Sequence, residues 1–596
     1  MLVAAAPAFA SKQDHKDCQG GRADVIIAAC SRVIADSKES PGNRAIAYFS
    51  RGTALAKKGD FERAIADFSE TIRLKPKDAT PYYNRGLTLQ RKGDIDRAIE
   101  DYNAAVKLDP KQAFAYNNRG DAWRSKGNDD RAIADFTEAL RVNPKLVSAY
   151  NNRASVWRSK GEHDRAIADL DEAIKLDPKG AIAYYQRGSA RTYKGQYDRA
   201  IADMTEAIRL DPKYAAAFSS RGIALFAKGE HDRAISDLTE AIRLDPKDSR
   251  AYYGRGNALD LKGDIDRAVA DFSEVIKLNP NMAAVYIDRG KAWTKKRDHD
   301  RAIADMTEAI RLAPKNPEAR LRRGLLWGAK GDFDRAVADF EETIKLDPKS
   351  AVAFNSRGDI LSFRREYDLA IADFNEAIKL NAKYTMAYTN RGDAWRAKGD
   401  YDLAIADFNE AIKLDPKHAR AHMNRGNAWR SKADHQRAVA DYSEGIALDP
   451  KNAGYYRARG YAYYEWGKFP ESAADFLRAN DLVDNAYSTL WRFLARARQQ
   501  QDGAAELSAN TARLKTKDWP FAVVDFYLGR RSLEELRAAA GKPGEKCQVD
   551  FYLGQWHLLK GNKADARKGL QSAADACPKD YYEYTAAAAE LKRLGP

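Results

Sequence analysis

Four histidines, His163, His231, His299 and His435, recur at one place in the sequence pattern, separated by whole multiples of a 34-residue step. Imidazole can bind metal or move protons near neutral pH, but a metal site needs ligands that converge on one point. Residues tens of positions apart in separate copies of one turn do not converge, so they are read as exposed turn histidines. Four cysteines stand near the ends, Cys18 with Cys30 and Cys547 with Cys577. An even count so placed points to two terminal disulfides and an oxidising compartment, the alternative being unpaired buried thiols in a cytosolic protein. No Gly-rich phosphate loop follows a strand. With no catalytic constellation, the expectation is a protein that is not an enzyme and uses no cofactor or metal. The remaining chemistry is hydrogen bonding. Asn118, Asp121 and Arg124 form a set spaced by three, echoed by Asn152, Ser155, Arg158, by Asn390, Asp393, Arg396 and by Asn424, Asn427, Arg430. That spacing puts each set along one helix face.

The elements that must carry these sets follow from a period. Counting from Arg51, an Arg stands at 85, 119, 153 and onward to 459, so thirteen units follow one another at a spacing of 34 without an insertion. Units of this size cannot bury a core singly and must stack. In the first unit, from Ala45, Tyr48, Leu55, Ile65, Phe68 and Ile72 fall at helical spacing on two segments. Gly59 closes the first helix, Asp60 caps the second, and Pro76 stops it. Gly52 and Ala64 mark close helix approach. Arg297, Arg365 and Ala433 replace the turn glycine, which predicts strained or rebuilt turns. Ala382 and Asp484 replace the proline.

A 34-residue helix-turn-helix with Gly at the eighth place, Ala at the twentieth, an aromatic near the twenty-fourth and Pro at the thirty-second resembles the tetratricopeptide repeat family. The resemblance implies an all-α, right-handed superhelical solenoid of stacked antiparallel helix hairpins. One departure is systematic: Arg replaces the common Leu before the Gly in every unit, and an Asp follows sixteen residues later, as in Arg51 with Asp67, Arg119 with Asp135 and Arg391 with Asp407. This predicts an ion pair within each hairpin, the plain alternative being sequence copied by duplication. On that reading Arg to Leu costs little and Asp to Ala costs more.

The expected organisation is a signal-peptide remnant over 1–10, an N-terminal half-repeat cap over 11–44, the thirteen units over 45–486, degenerate helical repeats over 487–546, a terminal unit over 547–580 and a capping helix over 581–596. Met1 to Ala10 reads as the end of an apolar segment with an Ala8-Phe9-Ala10 cleavage site, without the basic region that precedes such segments. Cys547 and Cys577 start and end one antiparallel hairpin, which brings them together. The segment from Trp519 to Leu594 resembles the C-terminal end of bacterial envelope tetratricopeptide lipoproteins, although the lipid-attachment cysteine is absent.

In the family the first helix of each unit lines the concave face. The resemblance therefore places Asn118, Asp121, Arg124, Asn152, Arg158, Asn390, Asp393, Arg396, Asn424, Asn427 and Arg430 in a groove. Between these polar patches lies an apolar stretch with Tyr185 and Phe226. Asn amides can both donate to and accept from an extended peptide, and Arg adds a carboxylate partner. Trp123, Trp157, Trp293, Trp327, Trp395 and Trp429 are assigned to core packing.

The implied function is a non-enzymatic scaffold for protein or peptide partners, periplasmic or secreted, with envelope proteases or peptidoglycan hydrolases as partners by resemblance. The alternatives are a structural envelope protein binding anionic polymer and a cytosolic adaptor. A net charge of +14 from 100 basic and 86 acidic residues, spread through every repeat, predicts a mildly basic surface and no nucleic-acid partner. No apolar run approaches the ~20 residues of a membrane span.

Overall fold

The computed structural model describes residues 10–514, 517–579 and 581–595, and among these every regular element is a helix, thirty-five in all. The expected signal remnant, apart from Ala10, lies outside the described residues, as does Asp580. The chain divides into two compact units, Met1–Asp298 and His299–Pro596.

The first unit opens with a helix pair, Lys12–Gln19 and Ala23–Ala35, where the sequence suggested only the second helix of a half repeat. Ser11 makes the extra helix possible. Its side chain accepts from the Asp14 backbone N–H while Asp14 reaches back to the Ser11 backbone, a reciprocal cap. A disulfide joins Cys18 to Cys30 with the Cα atoms 4.7 Å apart. Helix hairpins then follow, each with a first (A) and a second (B) helix. In hairpin three these are Ala113–Ser125 and Asp129–Val142.

Two positions, one at the helix crossing and one at the turn, shape the hairpins, and glycine holds both in most of them. Gly120 faces the Phe136 ring so closely that a Cβ there would lie 2.8 Å from it, so the A and B helices can approach only without a side chain. The turn glycine supplies a left-handed residue, as Gly59 does at φ 85°, and Asp60 then caps the B helix by accepting from Arg63 N–H. Arg297, Arg365 and Ala433 keep the same left-handed backbone at φ 60°, 64° and 61°. These turns are therefore strained and not rebuilt. Proline is dispensable as a stop: the B helix with Ala382 beyond it still ends at Leu380.

The second unit contains His299–Leu312, hairpins nine to thirteen and a closing segment. In that segment the decayed pattern folds as Ala486–Ala497, Ala504–Ala512, Phe521–Tyr527 and Leu533–Ala539. A hairpin of Pro543–Leu559 and Lys563–Ala576 comes next, with Cys547 joined to Cys577 at a Cα separation of 5.2 Å. The last helix is Tyr582–Leu594. The core of this segment gathers around Trp491, fully buried among Tyr461, Tyr464, Phe476, Phe551 and Tyr552.

Candidate functional site

Each A helix is positioned by its arginine. In hairpin three, Arg119 Nε and Nη2 donate to the two Asp135 carboxylate oxygens at 2.8 and 2.6 Å, a forked pair inside the hairpin. Its remaining Nη1 donates to Asn103 Oδ1, on the B helix of the preceding hairpin, at 2.8 Å. The Arg–Asp pair recurs in seven hairpins of the first unit and in five of the second. In most of these hairpins the third nitrogen finds an oxygen sixteen residues back, such as Ser69, Thr137, Asp171 or Ser443, while that of Arg51 finds Ser31, twenty back. Where that residue is Ser or Thr, the hydroxyl donates its own proton to the carbonyl four residues earlier, as Thr137 does to Ile133, leaving its lone pairs for the Arg. The pair within the hairpin was legible in the spacing. The link between hairpins was not recognised, although the residue after the core aromatic carries oxygen in the units from Ser69 to Ser443.

This geometry predicts the reverse order of mutational costs. The Asp135 side chain is 9 % exposed and that of Arg119 17 %, so the carboxylate is the more deeply placed partner. Removing Arg119 strands Asp135 and also breaks the link to hairpin two, so Arg to Leu is the costlier change.

On the A-helix face of hairpins three and four, the predicted polar residues are largely tied to one another. Asn118 Nδ2 donates to Tyr83 Oη at 3.1 Å, Asn152 Nδ2 to Asn117 Oδ1 at 3.2 Å, and Arg158 Nη1 to Ser189 Oγ at 2.9 Å. Asp121 receives Gln90 Nε2 at 2.9 Å and Arg124 at 2.6 Å. Arg124 remains exposed. The Asn side chains thus bridge neighbouring hairpins, and only their remaining capacity is open to a partner.

The apolar middle is half-buried. Tyr185 lies against Tyr214 and Phe226 against His231, at ring separations of 5.0 and 5.5 Å. Ile182 and Tyr193, beside them in sequence, are the exposed apolar groups here. His163 stacks on Tyr193 at 5.2 Å as His231 packs on Phe226, and all four turn histidines are partly buried and not fully exposed. Among the described residues no cluster of His, Cys, Asp and Glu could hold a metal ion. The tryptophans pack inward as expected, and several carry a guanidinium on the outer ring face: Arg131 over Trp123, Arg165 over Trp157 and Arg335 over Trp327, at 4.5, 4.7 and 3.7 Å.

Hairpins eleven and twelve are more enclosed. Asn390 is buried and donates to Asn355 Oδ1 at 3.2 Å. Asp393 receives Asn424 Nδ2 and Arg420 Nη2, both at 2.9 Å, with Arg396 Nε 3.9 Å away. Burial pushes the Asp393 carboxyl up, against the pull of Arg396 and Arg420. Asn427 Oδ1 accepts from the Tyr442 hydroxyl at 2.9 Å.

Arg430 departs from expectation. It is 6 % exposed, donates to Glu465 Oε1 at 2.8 Å and Thr585 Oγ1 at 2.9 Å, and lies 4.3 Å above the Tyr582 ring. The last helix, Tyr582–Leu594, lies on the A helices of hairpins twelve and thirteen and covers it. Tyr582 also stacks on Tyr461 at 3.7 Å, Thr585 donates to Glu465 at 2.6 Å, and Arg593 Nη2 donates to the Tyr464 and Glu465 carbonyls at 2.8 and 2.6 Å. Arg430 is therefore not open to an external ligand. The sequence could not show this, because its partners lie 35 and 155 residues away.

A family model described as tetratricopeptide repeat matches residues 83–145, 185–249, 221–283, 253–317, 287–351 and 321–384, and one described as TPR repeat matches 52–93, 155–192 and 392–431. No curated protein matches the chain. Among solved structures, a tetratricopeptide repeat protein from Parabacteroides merdae is 24 % identical, with 42 % of this chain and 98 % of that one covered at a TM-score of 0.35. YrrB, described as a TPR protein with an unusual peptide-binding site, is 28 % identical over 31 % of this chain and 95 % of its own, at 0.28. Yeast Tom70 is 18 % identical over 80 % of this chain and all of its own, at 0.29.

Proposed function

The chain belongs to the tetratricopeptide repeat family, and we propose that it is a non-enzymatic scaffold holding protein segments on the A-helix faces of its hairpins. One observation carries this reading. The face of hairpins twelve and thirteen takes a polypeptide helix within this molecule, through Arg430, Tyr461, Tyr464 and Glu465. Arg124 and Arg158 occupy the place of Arg430 in hairpins three and four, and Arg396 occupies it in hairpin eleven, without that helix over them. An external partner would supply the aromatic and hydrogen-bonding groups that Tyr582 and Thr585 supply to Arg430.

We place the protein in an oxidising compartment, the periplasm or outside the cell, and the two cystine pairs support this. The anionic-polymer reading has less behind it. Lysines at the hairpin ends are paired with acids of the preceding hairpin, as Lys160 is with Asp130 at 2.7 Å and Lys126 is with Asp96, which leaves no unbroken basic stripe there.

Crosslinking capture from envelope extract tests the scaffold reading, comparing the wild type with Arg124→Glu/Arg158→Glu and with Asn390→Ala/Asn424→Ala. Loss of a partner in either variant is expected. Unchanged recovery in both would remove the A-helix face from the function. A reporter fusion carrying the native upstream sequence tests the compartment, and cytoplasmic reporter activity would overturn it.

A further inference from the structure

Where the closing segment meets hairpins twelve and thirteen, the second unit forms an open cleft of about 1020 Å³, at the upper end of the ~300–1,000 Å³ typical of ligand clefts. Its walls are rings held in fixed orientation. Trp519 Nε1 and the Tyr487 hydroxyl both donate to Gln548 Oε1, at 2.5 and 3.3 Å, and Gln548 is itself buried. Tyr582 is clamped between Tyr461 at 3.7 Å and the Arg430 guanidinium at 4.3 Å. Burial holds the Tyr487 hydroxyl protonated, pushing it up to about 12. Rigid rings lose little entropy when a ligand settles on them.

Carboxyls outnumber cations on the walls, Asp518, Glu545 and Glu583 against Arg457 and Lys542, and burial raises the Glu583 carboxyl. Glu545 already accepts the backbone N–H groups of Gly541 and Lys542 at 2.9 and 3.0 Å. Glu583, at the base, receives the Tyr552 hydroxyl at 2.9 Å. A phosphorylated ligand would need an excess of cations that is not there, and a hydrocarbon would strand the amide, carboxylate and guanidinium groups. A ligand that fits is uncharged, with flat C–H faces for the rings and a dense edge of hydroxyls for planar donors and acceptors. Pyranose sugars have this form.

We propose that this cavity is a saccharide-binding site, taking a short uncharged oligosaccharide against Trp519 and Tyr487 with Arg457 at its rim. The site is independent of the A-helix faces in hairpins three, four and eleven, so it stands or falls apart from the scaffold reading. Calorimetric titration of the full chain with chitotriose, cellotriose and maltotriose tests it. At least one is expected to bind with a Kd on the order of 0.1 mM, weakened about tenfold or more by Trp519→Ala and several-fold by Arg457→Gln. Should Trp519→Ala lose its cooperative melt, Arg457→Gln decides, since that side chain is half-exposed and has no ion-pair partner among the described residues. No binding of any trisaccharide at about 10 mM overturns the assignment. So does affinity unchanged in both folded variants, or tighter binding of an N-acetylated, C-amidated Gly-Tyr-Gly peptide than of every sugar.

Discussion

In the repeated hairpins, Arg119 and Asp135 form a pair that water can reach from one side, and the same pair is built again and again along the chain. Where the last helix lies on hairpins twelve and thirteen, Arg430 and Glu465 are buried together, at 6 % and 1 % side-chain exposure, in an arrangement the other hairpins do not repeat. The difference teaches what each region depends on. The repeated pair keeps some contact with water, 17 % of the Arg119 side chain and 9 % of that of Asp135, so a stranded survivor is partly solvated, and neighbouring hairpins keep their own pairs. A buried pair has no such escape, and its loss leaves a charge in a medium that cannot solvate it.

The sharpest way to break this contrast is Glu465→Ala. It strands Arg430 and releases Thr585, with an expected cost of about 3–5 kcal/mol in the second unit by denaturant titration. A cost no greater than that of Asp135→Ala would erase the distinction. Reduction of the disulfides comes next. The chain-entropy relation gives about 3–4 kcal/mol for Cys547–Cys577 and about 3 kcal/mol for Cys18–Cys30, from sequence separations of 30 and 12. Melts with and without a phosphine reductant should show the closing segment losing more. Within the array, Arg119→Leu should cost about 1–3 kcal/mol and exceed Asp135→Ala. The reverse order in thermal melts would mean that the link to Asn103 contributes nothing. Ala433→Gly should stabilise by about 0.5–1 kcal/mol, because it relieves a left-handed non-glycine residue.

The smallest effect is in the response to acid, where the two ends of the chain should differ in sign. Hydrogen bonds from Ser11 and Arg32 lower the Asp14 carboxyl from 3.8 to about 2, so its contribution is present above 3.8 and lost as pH falls toward 2. Burial raises the Glu583 carboxyl, so its contribution is present at low pH and fades as pH rises through the raised value. Comparing pH-dependent melts of Asp14→Asn and Glu583→Gln with the wild type should show these opposite slopes. Parallel slopes would refute the assignment.

Much of this was legible in the chain. The 34-residue step gave the hairpins, Gly59 and Asp60 gave the turn, and the sixteen-residue offset gave the ion pair, because each is a local rule repeated. The cysteine positions gave both disulfides for the same reason. Arg430 was not legible, since at sequence level it cannot be told from Arg124. What separates them is Glu465 and a helix that returns from 155 residues away. The shared use of Asn118 and Asn152 between hairpins was hidden too. An amide that bridges two helices has the same spacing as one that faces a ligand.

The arginine that reaches sixteen residues forward and sixteen back bears on how such a gene can change length. Between Ser69 and Arg459, any block of 34 residues cut out or copied in restores a side-chain oxygen at both offsets. Recombination between units therefore leaves no charge unmatched at the junction, and a longer or shorter array inherits intact wiring. The closing segment has no such freedom, because its contacts span non-repeating distances and a cut within it would part their partners.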